Sequence, residues 1–101
     1  MARFHTERDR EATVLAIQGE IDLADARELA HQLLGAEVSG GPIIVDLSRV
    51  EFMDCSALGT LLEVSLRCKE NGCQLSLRRG PRHVQRIFEV TGTLDRFVFD
   101  D

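Results

Sequence analysis

The sequence predicts a single α/β domain built on a mostly parallel β-sheet. Strand-like apolar runs alternate with segments of helical spacing, an order typical of parallel strands joined by helices. The length of 101 residues is usual for one domain, so we expect residues 1–101 to share one core. Hydrophobic residues make up 44% of the chain, enough to bury a core without disulfide bonds.

The first strand and the first helix are predicted between residues 12 and 34. The segment "ATVLAIQGEI", residues 12–21, is apolar on both faces, as in a strand of a covered sheet. The polar segment before it can form a short antiparallel edge strand. Asp22 stands at the N-cap position of a helix, and Asp25 lies in its first turn, where the helix dipole favours a carboxylate. The inner face of this helix, which ends at "GAEVSGGP", is predicted as Leu23, Ala26, Leu29, Ala30 and Leu33.

Two further strand and helix units follow. The run "IIVDL", residues 43–47, has the length of a strand, and "SRVEFMDCS" after it is expected to be a loop that enters the second helix. That helix should end at the Asn-Gly pair, residues 71–72. The segment "CQLSLR", residues 73–78, alternates apolar and polar positions as a strand does. Pro81 suits the first turn of a third helix, and "RFVFDD" can form a last short strand.

The charge distribution argues against general nucleic-acid binding. The net charge is −5, and residues 11–63 hold ten acidic and two basic side chains. Nucleic acid requires a broad basic surface, whereas an acidic surface attracts a basic partner or keeps a protein soluble. No apolar run approaches the ~20 residues of a membrane helix, and the N-terminus lacks a secretory signal. We therefore expect a cytoplasmic protein with neither nucleic acid nor membrane as partner.

The three cysteines are expected to be reduced thiols with structural roles. Cys55, Cys68 and Cys73 are odd in number and stand in apolar or helical contexts. The spacing Cys68-x4-Cys73 is a weak zinc signal, because the histidines lie far away in sequence and zinc ligands usually come in closer pairs. The sequence predicts neither a metal site nor a cofactor.

Ser56 is the main candidate functional residue. Loops that leave the C-terminal ends of parallel strands often carry function, and Asp22 and Ser56 both follow predicted strands. They share one edge of the sheet if those strands are neighbours. A nucleophilic role is disfavoured, because "DCSAL" lacks the Gly-x-Ser-x-Gly pattern and no histidine is placed beside it. Two roles stay open: an N-cap, for which Asp54 competes, or a hydroxyl offered to a kinase at a phosphate-binding helix start.

Two motifs in this chain resemble the STAS domain of bacterial anti-sigma factor antagonists. They are "GEIDLADA" and "VDLSRVEFMDCSALGTLL", and the resemblance extends over about residues 12–99. It implies a protein-interaction switch rather than an enzyme: the unmodified protein binds an anti-sigma factor that is a serine kinase and thereby releases the sigma factor. Phosphorylation of the serine two residues after the motif aspartate, here Ser56 after Asp54, abolishes that binding. A serine phosphatase resets the cycle, and the unbound protein is expected to be a monomer.

The partner surface implied by this resemblance surrounds Ser56. It comprises Asp22, Glu51, Asp54, Ala57 and Leu58. The motif here reads Asp-Cys-Ser-Ala where relatives often have Asp-Ser-Ser or Asp-Ser-Thr and then Gly, and Cys55 is interpreted as a packing residue. Two alternatives remain. One is a STAS accessory subunit of a transporter or of another signalling complex without a sigma factor, a class that tends to lack the serine, and the other is a small serine hydrolase.

Overall fold

Five strands form one mixed sheet in sequence order. The computed structural model describes residues 1–100. The elements are β1 (Ala2–Asp9), β2 (Ala12–Ile21), a 3-10 turn (Leu23–Asp25), α1 (Ala26–Ser39), β3 (Ile43–Met53), α2 (Cys55–Glu70), β4 (Leu75–Arg78), α3 (Arg82–Val90), a second 3-10 turn (Leu94–Arg96) and β5 (Val98–Phe99). Strand β1 is antiparallel to β2, and the other neighbouring strands are parallel. The α/β fold class and the antiparallel edge strand are confirmed, although β1 is longer than expected.

The three helices pack on the same face of the sheet. Strands β2 to β5 follow one another in sequence order, so right-handed crossovers bring every connecting helix to one side. Leu33 of α1, Leu61 of α2 and Phe88 of α3 are fully buried and belong to one hydrophobic core with alternate residues of the strands. This core holds the sheet and the helices as one unit.

The opposite face of the sheet carries no helix within residues 1–100. Ala16, Ile44 and Ser76, on adjacent strands of that face, are partly exposed. The predicted strand at residues 12–21 is confirmed as β2, but the expectation that both of its faces are covered is wrong. The apolar run reflects small and β-branched side chains that suit a strand even where one face is open.

The first helix starts later and ends later than predicted. Asp22 caps the 3-10 turn that precedes α1 rather than α1 itself. The helix continues through Gly35, where a Cβ atom would meet nothing within 4 Å. The buried Ala36 extends the apolar face of α1. It stops at Gly40, where φ is +79°, a conformation that favours glycine.

The second parallel strand is twice as long as the predicted run at residues 43–47. Strand β3 extends to Met53, and the segment expected to be a loop pairs with β2 as far as Ile21 opposite Met53. Val50 and Met53 anchor this extension in the core. Two register shifts in the pairing break the regular alternation, which is why the sequence pattern concealed it.

The later elements follow the predicted order closely. Helix α2 ends at Glu70, and Gly72, with φ of +76°, terminates it as expected. Strand β4 begins at Leu75, two residues later than predicted, and Pro81 stands at the N-cap of α3. None of the described helices combines the length and the apolar character that a bilayer crossing requires.

Candidate functional site at the C-terminal ends of β2 and β3

Strands β2 and β3 end side by side at one edge of the sheet. Ile21 is paired with Met53, and the Asp54 N–H donates a hydrogen bond to the Ile21 carbonyl over 3.2 Å. Asp22 and Asp54 therefore follow directly from two paired residues. The expectation that Asp22 and the Ser56 segment share one edge if their strands are neighbours is confirmed.

Asp54 caps α2 and also fixes the loop after β2. Its Oδ1 accepts hydrogen bonds from the backbone N–H groups of Ser56 at 3.0 Å and Ala57 at 3.2 Å. Its Oδ2 accepts one from the N–H of Leu23 at 3.1 Å. Of the two residues that competed for the N-cap, Asp54 has the role.

Ser56 is left with a hydroxyl that has no structural task. It is the second residue of α2, it is partly exposed, and none of the hydrogen bonds within residues 1–100 uses its Oγ. Only its backbone takes part, through the cap and through its carbonyl, which accepts a bond from the Thr60 hydroxyl over 3.2 Å. The hydroxyl thus sits at a helix N-terminus and is available for chemistry.

The backbone groups expected to receive a phosphate are already occupied. The N–H groups of Ser56 and Ala57 point to the Asp54 carboxylate. A phosphate on Ser56 would lie close to that carboxylate while still feeling the positive end of the helix dipole. The local arrangement therefore opposes a second negative group more than the sequence alone suggested.

Asp22 belongs to a reciprocal capping box. Its Oδ1 accepts a hydrogen bond from the Ala24 N–H at 3.0 Å, and its own N–H donates to Asp25 Oδ2 at 3.2 Å. Asp25 Oδ1 also accepts a bond from the Ala2 N–H at 3.4 Å. Asp22 is partly exposed, so it can hold the turn and still present charge at the surface.

Two exposed apolar side chains lie next to these carboxylates. Leu23 is 72% exposed and Phe52 is 50% exposed. Leu23 was predicted on the inner face of the first helix, which is wrong, because it lies in the 3-10 turn ahead of α1. The sequence analysis did not predict Phe52 as a site residue, because its segment was expected to be a loop. The position of an aromatic residue just before the Asp-x-Ser motif could have indicated it.

The remaining predicted site residues divide between surface and core. Glu51 is exposed on β3, and its backbone carbonyl contacts Nε2 of His83 on α3. Ala57 and Leu58 are 0% and 4% exposed, so their side chains pack in the core below the surface. The exposed part of the site is therefore formed by Asp22, Leu23, Glu51, Phe52, Asp54 and Ser56, and we call it the Ser56 surface.

Comparison with known families identifies the domain. A family model described as "Mlab, STAS domain" matches residues 4–98. The chain belongs to the STAS domain family. The resemblance seen in the two sequence motifs is thereby confirmed, and it covers nearly all of the described structure.

Similar proteins include several anti-sigma factor antagonists. The anti-sigma-F factor antagonist RsfA of Mycobacterium tuberculosis is 30% identical over 84 residues, which cover 80% of this chain and 66% of RsfA. The chain thus spans a little less than two thirds of that relative's length.

Solved STAS structures have the same fold. An anti-sigma factor antagonist from Mycobacterium paratuberculosis superposes with a TM-score of 0.82 at 25% identity, covering 98% of this chain and 85% of that one. The antagonist SpoIIAA in its unphosphorylated form gives 0.81 at 22% identity, with 98% and 89% coverage. Its phosphorylated form from Bacillus gives 0.74 at 20% identity, with 98% and 92% coverage.

Proposed function

We propose that this STAS domain is an anti-sigma factor antagonist controlled by phosphorylation of Ser56. Its unphosphorylated form binds an anti-sigma factor that is a serine kinase, and so frees a sigma factor. The observation that carries the proposal is the hydroxyl of Ser56, which makes no hydrogen bond within residues 1–100 because Asp54 caps the helix. The similarity to RsfA and to the antagonist from Mycobacterium paratuberculosis, both anti-sigma factor antagonists, supports this class of function.

The Ser56 surface has the composition of a small protein-binding patch. Leu23 and Phe52 expose apolar surface that a partner would bury on binding. Exposed apolar side chains of this kind often supply binding energy. Asp22, Glu51 and Asp54 lie within two residues of them in the sequence, and their carboxylates would attract a basic partner and set its orientation. A complementary kinase surface would combine an apolar pocket with Arg or Lys side chains.

Ala57 and Leu58 support the Ser56 surface from within the core. Ala57 donates its N–H to Asp54, and the side chains of both residues are buried under the first turn of α2. We assign them the task of fixing that turn, so that the hydroxyl of Ser56 is presented in one position. They act on partner binding through this positioning and not through contact.

Phosphorylation would change the charge of the patch at its centre. A phosphoserine carries about −1.5 to −2 charges at pH 7. It would stand beside Asp54, whose oxygens already hold the nearest backbone N–H groups. Burying this extra charge against a partner without a matching cation costs several kcal/mol, whereas the free protein keeps the phosphate in water. The fold therefore survives a modification that breaks the interface, and a serine phosphatase restores binding.

Phosphorylation mapping tests this proposal directly. Each purified anti-sigma serine kinase of the source organism is incubated with the protein and ATP, and intact-mass and fragment spectra locate the phosphate. We expect one phosphate on the unaltered protein, at Ser56, and none on Ser56→Ala. The control is Ser48→Ala, which removes an exposed serine of β3 and should be phosphorylated in the same yield as the unaltered protein.

The same experiment separates the alternatives. Full phosphorylation of Ser56→Ala, or modification at another residue, contradicts the assignment of the site. A transporter accessory subunit would not be modified by any of these kinases. A serine hydrolase would cleave a generic ester and lose that activity in Ser56→Ala, whereas we expect equal background rates for both proteins.

A further inference from the structure

The end of α2 brings two cysteine side chains together. The Cys73 N–H donates to the Cys68 carbonyl over 2.8 Å, and Gly72 between them has a φ of +76°. This hydrogen bond and the left-handed Gly72 are features of a Schellman helix end, at which the residue three positions before the C-cap and the second residue after it often make a side-chain contact. Those two residues here are Cys68 and Cys73, and the Cys73 side chain packs against the hydrophobic core to which Cys68 belongs.

The backbone geometry of this motif is compatible with a disulfide bond. Because the 2.8 Å hydrogen bond joins the two residues directly and each flanking covalent bond is about 1.5 Å or shorter, the Cα atoms lie within the ~7 Å limit for bridging. Because Cys73 packs against the core that contains Cys68, we expect the bond to require rotation of the two side chains and no rearrangement of the fold.

The two thiols differ in access and in reactivity. Cys68 is 1% exposed, and burial, followed by the hydrogen bond with Cys73, raises the pKa of its thiol to about 12. Cys73 is partly exposed and lies at a surface cavity of about 470 Å³ that is also lined by Gly41 and Asn71. Cys73 is therefore the thiol that an oxidant in solution reaches first, and the raised pKa of Cys68 disfavours the thiolate form that reacts fastest with such an oxidant.

We propose that Cys68 and Cys73 form a reversible intramolecular disulfide, with Cys73 as the thiol that is oxidised first and Cys68 as the resolving thiol. With hydrogen peroxide, the Cys73 thiolate attacks one oxygen, the O–O bond breaks, hydroxide leaves and a sulfenic acid forms. The Cys68 sulfur then attacks the Cys73 sulfur, the S–O bond breaks, and water leaves with the Cys68 proton. Two thiols are oxidised and peroxide is reduced to water, and an external dithiol reverses the bond by exchange.

The site is separate from the Ser56 surface and does not depend on the proposed function. Cys68 lies twelve residues after Ser56 along α2, about 18 Å at the usual rise per residue. Among residues 1–100, no group of three or more His, Cys, Asp or Glu side chains is placed to hold a metal ion. The sequence interpretation of all three cysteines as structural residues is thus extended to a modification site for two of them.

Thiol counting by mass spectrometry tests the disulfide. The full chain with Cys55→Ser keeps only the proposed pair, since Cys55 is exposed and would react on its own. The reduced protein is treated with hydrogen peroxide, unfolded in denaturant and alkylated with iodoacetamide. We expect the number of alkylated thiols to fall from two to none, the intact mass to fall by two hydrogen atoms, and dithiothreitol to restore both thiols.

A matched variant makes the result decisive. Cys55→Ser with Cys73→Ser removes the partly exposed thiol and leaves the core packing of Cys68 intact, so this protein should fold and keep one alkylatable thiol after peroxide. Two alkylatable thiols in the Cys55→Ser protein would overturn the proposal. So would oxidation of Cys73 to the sulfinic acid without a crosslink, or a disulfide between two molecules.

Discussion

At the residue scale, one carboxylate joins the two segments that build the Ser56 surface. Asp54 accepts backbone hydrogen bonds from Leu23, Ser56 and Ala57, so it fixes the loop after β2 and the start of α2 together. Asp54 is therefore the N-cap of α2, and the hydroxyl of Ser56 takes no part in the cap. A single residue thereby connects the stability of the domain with the availability of its modification site.

Substitutions of the two residues should therefore differ in their effect on stability. Asp54→Ala leaves backbone N–H groups without an acceptor, and we expect the free energy of unfolding to fall by about 0.5–2 kcal/mol. Asp54→Asn keeps a capping oxygen and should lose less, and Ser56→Ala should change little, because no hydrogen bond is lost. Urea unfolding measures all three. A loss in Ser56→Ala equal to that in Asp54→Ala would show that Ser56 is the true cap.

The exposed apolar residues of the Ser56 surface allow a second test at this scale. Leu23→Ala and Phe52→Ala remove side chains that are largely outside the core, so the melting temperature should change little. Each should weaken binding to the cognate kinase by more than about 1 kcal/mol if the side chain is a binding hot spot. Isothermal titration measures the affinity, and Val38→Ala, 82% exposed on α1, is the control. Equal affinities for all three variants would remove Leu23 and Phe52 from the interface.

At the element scale, two glycines in similar open surroundings play opposite roles. Gly35 lies inside α1 without a positive φ, and Gly72 ends α2 at a φ of +76°; a Cβ would meet nothing within 4 Å at either position. Gly35→Ala should stabilise the domain by about 0.5–1 kcal/mol, since glycine weakens a helix interior. Gly72→Ala should destabilise it by roughly 1–2 kcal/mol, since alanine is strained in the left-handed region. Thermal and urea unfolding give both values, and a stabilising Gly72→Ala would contradict the assigned helix end.

The order and the type of the elements could be predicted from the sequence because local signals agree with the fold. Apolar runs marked the strands, the Asn-Gly pair marked the end of α2, and Pro81 marked the start of α3. The signals failed where tertiary packing decided the outcome. Gly35 reads as a helix end, yet the buried Ala36 makes continuation of α1 favourable.

The candidate site was predictable in its charged residues and not in its apolar ones. Asp22, Glu51, Asp54 and Ser56 were named from motif and position, whereas Leu23 was assigned to the core and Phe52 to a loop. The reason is that β3 continues through two register shifts and that a 3-10 turn precedes α1, neither of which has a clear sequence pattern. Ala57 and Leu58 were predicted as partner-binding residues, but their side chains are buried, and the sequence alone did not indicate this burial.

At the scale of the whole molecule, the fold separates the proposed binding surface from the helices that close the core. The edge of the sheet where β2 and β3 end carries the Ser56 surface, and all helices lie on one face, where they close the core. Helix α2 runs from this surface to the cysteine pair, so its two ends carry the two proposed modification sites. The core between them should keep the fold unchanged when either end is modified.

The affinity of the cognate kinase for the two forms of the protein tests the central claim most directly. Unmodified protein and protein fully phosphorylated on Ser56 are titrated against the kinase without ATP, after circular dichroism has shown that both are folded. A penalty of several kcal/mol for burying the phosphate corresponds to at least roughly hundredfold weaker binding of the phosphorylated form. Equal affinities of the two folded forms would contradict the switch, even if Ser56 were the residue that carries the phosphate.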